Sequence, residues 1–129
     1  MSWEKLIIEN KPLVITGTIN AYSALLAERA GIKAIYLSGG GVANASYGLP
    51  DLAMTSREDV LEDVRRIRSA SELPLLVDID TGWGSALAIS RSIKEMISAG
   101  ASGVHIEDQV SEKRCGHRPN KEIVSSEEM

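Results

Sequence analysis

Four short runs rich in Val, Ile and Leu, at Pro12 to Thr16, Lys33 to Leu37, Pro74 to Asp78 and Gly103 to Ile106, recur along the chain with helical patterns between them. No other feature constrains the fold as much. A run that is apolar throughout, instead of at every second residue, reads as a strand buried on both faces, and strands separated by helices are parallel and joined by right-handed crossovers. The class is α/β. Ala21 to Ala30 reads as a helix closed by Gly31. Ser56 is an N-cap with Asp59 three residues on, and Val60, Leu61, Val64 and Ile67 form one face of the helix that follows. Ala86 to Ala99 stacks Ile89, Ile93, Met96 and Ile97 and closes at Gly100, and Met1 to Asn10 reads as a short leading helix.

Two architectures accommodate four βα units. An open doubly wound sheet could be complete in 129 residues, whereas a (β/α)₈ barrel typically takes about 250. Ser125 and Glu128 have capping-box spacing for a further helix, so the chain is expected to be the N-terminal portion of a longer protein, residues 1–129 forming one domain. A formal charge of −4 with scattered basic residues leaves no footprint for nucleic acid or an anionic membrane. No apolar run reaches a spanning length, and Glu4, Lys5 and Glu9 interrupt any leader, which points to a soluble cytoplasmic protein.

In α/β folds ligands sit at the C-terminal ends of the strands. The second strand runs into Ser38-Gly39-Gly40-Gly41, where backbone N–H groups can approach an anion, although a turn without a ligand reads equally well. The third ends in Asp78-Ile79-Asp80, two carboxylates on one side of an extended chain, a pattern that suits a hard divalent cation such as Mg²⁺. The fourth ends in His105-Ile106-Glu107-Asp108, with His105 read as a core residue. Beyond it the lone thiol, Cys115, is flanked by Lys113, Arg114, His117 and Arg118, which favours a proton-transfer or nucleophilic role over apolar burial.

Taken in order, Tyr36-Leu37-Ser38-Gly39-Gly40-Gly41, Gly48-Leu49-Pro50-Asp51, Asp78 to Gly84, His105 to Gln109 and Lys113 to Pro119 resemble the isocitrate lyase and phosphoenolpyruvate mutase superfamily over essentially the whole chain. The resemblance implies a (β/α)₈ TIM barrel of which this chain covers about the N-terminal half. Cys115-Gly116-His117 resembles the lyase branch, and Arg118-Pro119 the methylisocitrate lyases within it. The implied activity is Mg²⁺-dependent cleavage of 2-methylisocitrate, a small tricarboxylate, to pyruvate and succinate, as in propionate catabolism by the methylcitrate cycle. The rival readings are isocitrate lyase or another superfamily activity, and a non-catalytic fragment.

By the same resemblance Asp80 would hold Mg²⁺, with Asp78 and Glu107 acting directly or through water. Ser38, Gly39 and Gly40 would bind the pyruvate portion. Cys115 would be the proton donor, with Gly116 and His117 shaping the succinate end, and Tyr36 and Asp51 would lie near the substrate. Leu87-Ala88 departs from a pair that is often Phe-Asn in relatives. Later strands would bring further substrate-binding residues, and the intact protein would be a homo-oligomer, a tetramer. The polypeptide alone is expected to be inactive or nearly so, with open edges at its first and fourth strands.

Overall fold

Strands β1 (Ile15–Gly17), β2 (Ala34–Leu37), β3 (Leu75–Asp78) and β4 (Gly103–His105) pair in parallel in that order in the computed structural model, which describes residues 3–129. Helix α1 (Trp3–Glu9) precedes them, α2 (Ala21–Arg29) joins β1 to β2, α4 (Arg57–Ala70) joins β2 to β3, and α5 (Ala86–Ala99) joins β3 to β4. With strands in sequential order and right-handed crossovers, every connection returns on the same side, so the sheet is singly wound. A doubly wound sheet instead reverses its order at a switch point and carries helices on both faces. The strand order therefore selects the barrel class over the open sheet. Met1 and Ser2, the first residues of the expected leading helix, lie outside the described residues.

Residues two apart on a strand share a face. Ile35, Leu37, Leu75 and Val77 are fully buried in one core with Ala24 and Ala27 of α2, Val60, Leu61, Val64 and Ile67 of α4, and Met96 of α5. Each such Ile, Leu or Val contributes roughly 1.5–3 kcal/mol by leaving water. The alternate residues Tyr36, Leu76, Asp78 and His105 occupy the opposite face, where register sets Tyr36 beside Leu76 and Asp78 beside His105. The expectation of strands buried on both faces is thus corrected. Helices cover one face among the described residues, and the other carries the polar groups.

The helix signals are realised almost residue for residue. Ser56 and Asp59 exchange both hydrogen bonds of a capping box, and the αL backbone of Gly100 (φ 102°) ends α5. Asn20 and Ser23 make a second box at α2. Ile97 is the exception on the expected stripe, 64% exposed while Met96 is buried, because consecutive helical residues point about 100° apart. The capping hydrogen bonds expected between Ser125 and Glu128 also form, with Glu128 N–H donating to Ser125 Oγ at 3.3 Å. β1 begins at Ile15 instead of Pro12, and proline has no N–H to give to a ladder. Among the described residues no helix is long and apolar enough to cross a membrane.

Candidate active site

Glycine permits the close approach at the end of β2. Ser38 is an N-cap, its Oγ accepting from Gly41 N–H at 3.3 Å, and Gly39–Gly41 (α3) form one helical turn that runs into a π-helix at Val42–Ser46. The glycine segment is therefore the start of a helix and not a loose turn. A Cβ on Gly39 would lie 2.9 Å from Asp80 Oδ1 and 3.4 Å from Asp78 Oδ2, and one on Gly40 would lie 3.0 Å from Asp51 Oδ2. Carboxylates from two other segments thus press on these two backbones where any side chain would stand.

Asp78 and Asp80 do not share one extended strand as their spacing suggested. β3 ends at Asp78, Asp80 takes the left-handed conformation (φ 49°), and a turn closes with Gly82 N–H donating to Ile79 O at 2.8 Å. The two still meet, because Asp78 Oδ1 accepts from Asp80 N–H at 3.0 Å and Asp78 Oδ2 accepts from Gly39 N–H at 3.1 Å. Asp78 is the joint between the two strand ends. Glu107 follows through its backbone, its N–H donating to Asp80 O at 2.8 Å.

Lys113 completes the cluster, and it does so away from the thiol it was expected to flank. It is 3% exposed, its Nζ donates to Asp51 Oδ1 at 2.8 Å and it lies 2.6 Å from Asp80 Oδ1 as an ion pair. Burial alone would lower the Lys113 pKa, but the hydrogen bonds and charges of Asp51 and Asp80 outweigh it and hold the ammonium well above its ordinary range. Burial raises the Asp80 carboxyl, with Asp78 and Asp51 adding to the rise and Lys113 opposing it. Nothing in its sequence position marked Lys113 for this role, since its partners lie 62 and 33 residues away along the chain and only the fold brings them together.

On the open face Tyr36 Oη and His105 Nδ1 are 3.1 Å apart. His105 is exposed and not the core residue its apolar neighbours suggested, because the strand turns it to the polar face. Burial foremost, then the charge of Asp78, and further Glu107 and Asp80, raise the Tyr36 phenol above its ordinary value. Three carboxylates thus act on one hydroxyl.

The Cys115 segment is tied to this floor mainly by backbone. Cys115 N–H donates to Asp51 O at 3.2 Å, Arg118 N–H donates to Cys115 O at 2.9 Å and Lys121 Nζ donates to Gly116 O at 2.8 Å. The thiol is half-buried, with His117 Nδ1 3.7 Å from Sγ. Gly116 faces Glu107, whose Oε1 would be 3.7 Å from a Cβ there, and it lines a cavity of about 470 Å³ with His105, Glu107 and Gln109. The residues singled out in the sequence converge at the strand ends. Among the described residues no three His, Cys, Asp or Glu side chains converge on one point as a ready-made metal cage.

The phosphoenolpyruvate phosphomutase family model matches residues 4–129. The chain is 64% identical over 129 residues to the 2-methylisocitrate lyase of Shewanella oneidensis, covering all of this chain and 44% of that one. It is 63% identical to the 2-methylisocitrate lyase of Escherichia coli, covering 95% of this chain and 42% of that one. Among solved structures, an oxaloacetate acetylhydrolase in complex with 3,3-difluorooxalacetate superposes with a TM-score of 0.87 at 33% identity, covering 95% of this chain and 42% of that one. A phosphonopyruvate hydrolase in complex with oxalate and Mg²⁺ superposes with a TM-score of 0.75 at 35% identity, over 88% of this chain and 38% of that one. The chain belongs to the phosphoenolpyruvate mutase family and its isocitrate lyase superfamily, and it spans less than half the length of these relatives.

Proposed function

We propose that these strand ends are one side of a lyase site that cleaves 2-methylisocitrate to pyruvate and succinate. The observation that carries the reading is the bonded chain from Gly39 through Asp78, Asp80, Lys113 and Asp51 to Cys115 N–H, which joins anion-binding backbone, acidic residues and a thiol in one floor. The identity to 2-methylisocitrate lyases supports the choice of substrate.

The donor set suits Mg²⁺. Asp80 Oδ1 is buried with an ion contact but no aligned hydrogen bond, and Asp51 and Asp80 share the single ammonium of Lys113, while Asp78 accepts from the Gly39 and Asp80 N–H groups. Mg²⁺ keeps several waters and needs only one or two protein carboxylates, so a cage of three side chains is not required. Asp80 would hold the ion, with Asp78 and Glu107 acting through water. When bound, the ion supplies Lewis-acid charge for the keto-acid oxygens. The chain's own residues do the rest. Ser38 Oγ and the backbone around Gly39 and Gly40 orient the pyruvate portion, and Gly116 and His117 bound the succinate end. As the carbon–carbon bond breaks, the hydroxyl on the carbon that becomes the pyruvate carbonyl gives its proton to a carboxylate of the acidic cluster. The electron pair of the broken bond goes to the carbon that becomes part of succinate, and the Cys115 thiol delivers a proton there and regains one from solvent.

The test is pyruvate release from 2-methylisocitrate, with and without Mg²⁺, by this chain and by the complete gene product, each beside its Cys115→Ser variant. Mg²⁺-dependent release by the complete product, abolished by the substitution, is the expected result. A complete product that leaves 2-methylisocitrate intact overturns the reading.

A further inference from the structure

Gln109 has no assigned part in the reaction, yet its amide is fully engaged. The side chain is 94% buried by its 6% exposure, and Nε2 donates both to Glu107 Oε2 and to Arg114 O, the latter at 2.9 Å. Its Oε1 accepts from Arg114 N–H at 3.3 Å. The base it reaches from is firm, because Gln109 bridges Ile123 in an antiparallel pair flanked by Val110 N–H to Glu122 O at 3.0 Å and Val124 N–H to Asp108 O at 2.9 Å. From that base one amide grips both backbone groups of the residue before Cys115 and one oxygen of Glu107.

The choice of side chain is chemically narrow. Two donors and an acceptor on one planar group are what Arg114 O, Glu107 Oε2 and Arg114 N–H require. A carboxylate would keep the acceptor, lose both donors and set a like charge against Glu107; an apolar side chain would leave the Arg114 groups unpaired. With Oε2 taken by Gln109, Glu107 presents Oε1 toward Gly116.

We propose that Gln109 is a positioning residue that locks Glu107 and the Cys115 segment into one geometry, so that the acidic side of the site and the proton donor move as a unit. The assignment of those two groups rests on the function proposed above, but the coupling is measurable without it. Cys115 is the only cysteine, so alkylation by iodoacetamide reads a single thiol. In Gln109→Met, close in volume and without the hydrogen bonds, and in Gln109→Glu, which keeps the acceptor, the Cys115 alkylation rate should change at least about threefold as the preceding backbone is released.

In the complete gene product both substitutions should lower kcat about tenfold or more while KM stays within about twofold, as expected when a reacting group is displaced but substrate contacts remain. A melting temperature for each variant identifies unfolding, and Gln109→Glu carries the test if Gln109→Met fails to fold. Folded variants with unchanged alkylation overturn the coupling whatever kcat does, since Gln109 would then only fill space near Cys115. Changed alkylation in a protein whose unsubstituted form leaves 2-methylisocitrate intact keeps the coupling and removes the lyase reading.

Discussion

Asp78, Asp80 and Lys113 are each less than a tenth exposed and linked in turn, Asp78 to Asp80 and Asp80 to Lys113, across two segments, whereas Cys115 and Gly116 are half-buried and His117 is exposed a few residues beyond Lys113. The first region is held by charge and by glycine backbone under pressure from carboxylates. The second is held by a few main-chain hydrogen bonds and the Gln109 clamp. The difference teaches how labour is divided in such a site. In the proposed site, groups that hold a fixed charge pattern are embedded, where breaking one contact strands another, while the proposed proton donor sits on a segment with access to solvent.

Removing the cation should break the first region most severely. Lys113→Met leaves Asp51 and Asp80 facing each other without a counter-charge, and a loss of about 3–5 kcal/mol is expected in urea unfolding at neutral pH. A loss below about 1 kcal/mol, the range of a surface ion pair, would place Lys113 with the solvated segment instead. Gly39→Ala comes next, at about 1–3 kcal/mol, because the new Cβ meets an Asp80 oxygen that Lys113 keeps from swinging away.

Helix α4, which follows the glycine segment in the chain, gives a calibration with no part in the site. Ser56→Ala should cost about 1 kcal/mol through the lost cap. The backbone N–H of Ser56 first, and its hydroxyl second, hold the Asp59 carboxyl below its ordinary value. The folded form thus binds that proton less tightly than the unfolded chain does. The stabilisation is complete above the unfolded value of about 4 and is lost as pH falls through the lower folded value, so the gap between the parent and Asp59→Asn should narrow in acid. A gap that does not narrow would show that the cap acts without charge.

Cys115→Ser should have the smallest effect on stability, within about 0.5 kcal/mol, while abolishing the proposed cleavage. A larger loss would mean that the thiol packs as part of the embedded region, and the contrast between the two regions would fail.

Periodicity and local signals, legible in the chain itself, determined the α/β class, the four strands to within about three residues at their starts, the cap at Ser56 and the stop at Gly100. These are short-range properties, set by φ preferences, side-chain hydrogen bonds and burial within a few residues. The ordered motifs likewise carried the family. Tertiary structure alone decided that the sheet is singly wound with one polar face, that His105 belongs to that face, and that Asp78 is a joint while Asp80 turns off the strand. It also decided that Lys113 serves Asp51 and Asp80 instead of Cys115. Each of these depends on which distant segment supplies the partner for a buried charge or an unpaired backbone group. Such partners are chosen by where the strand ends meet in space, a quantity that local spacing does not encode.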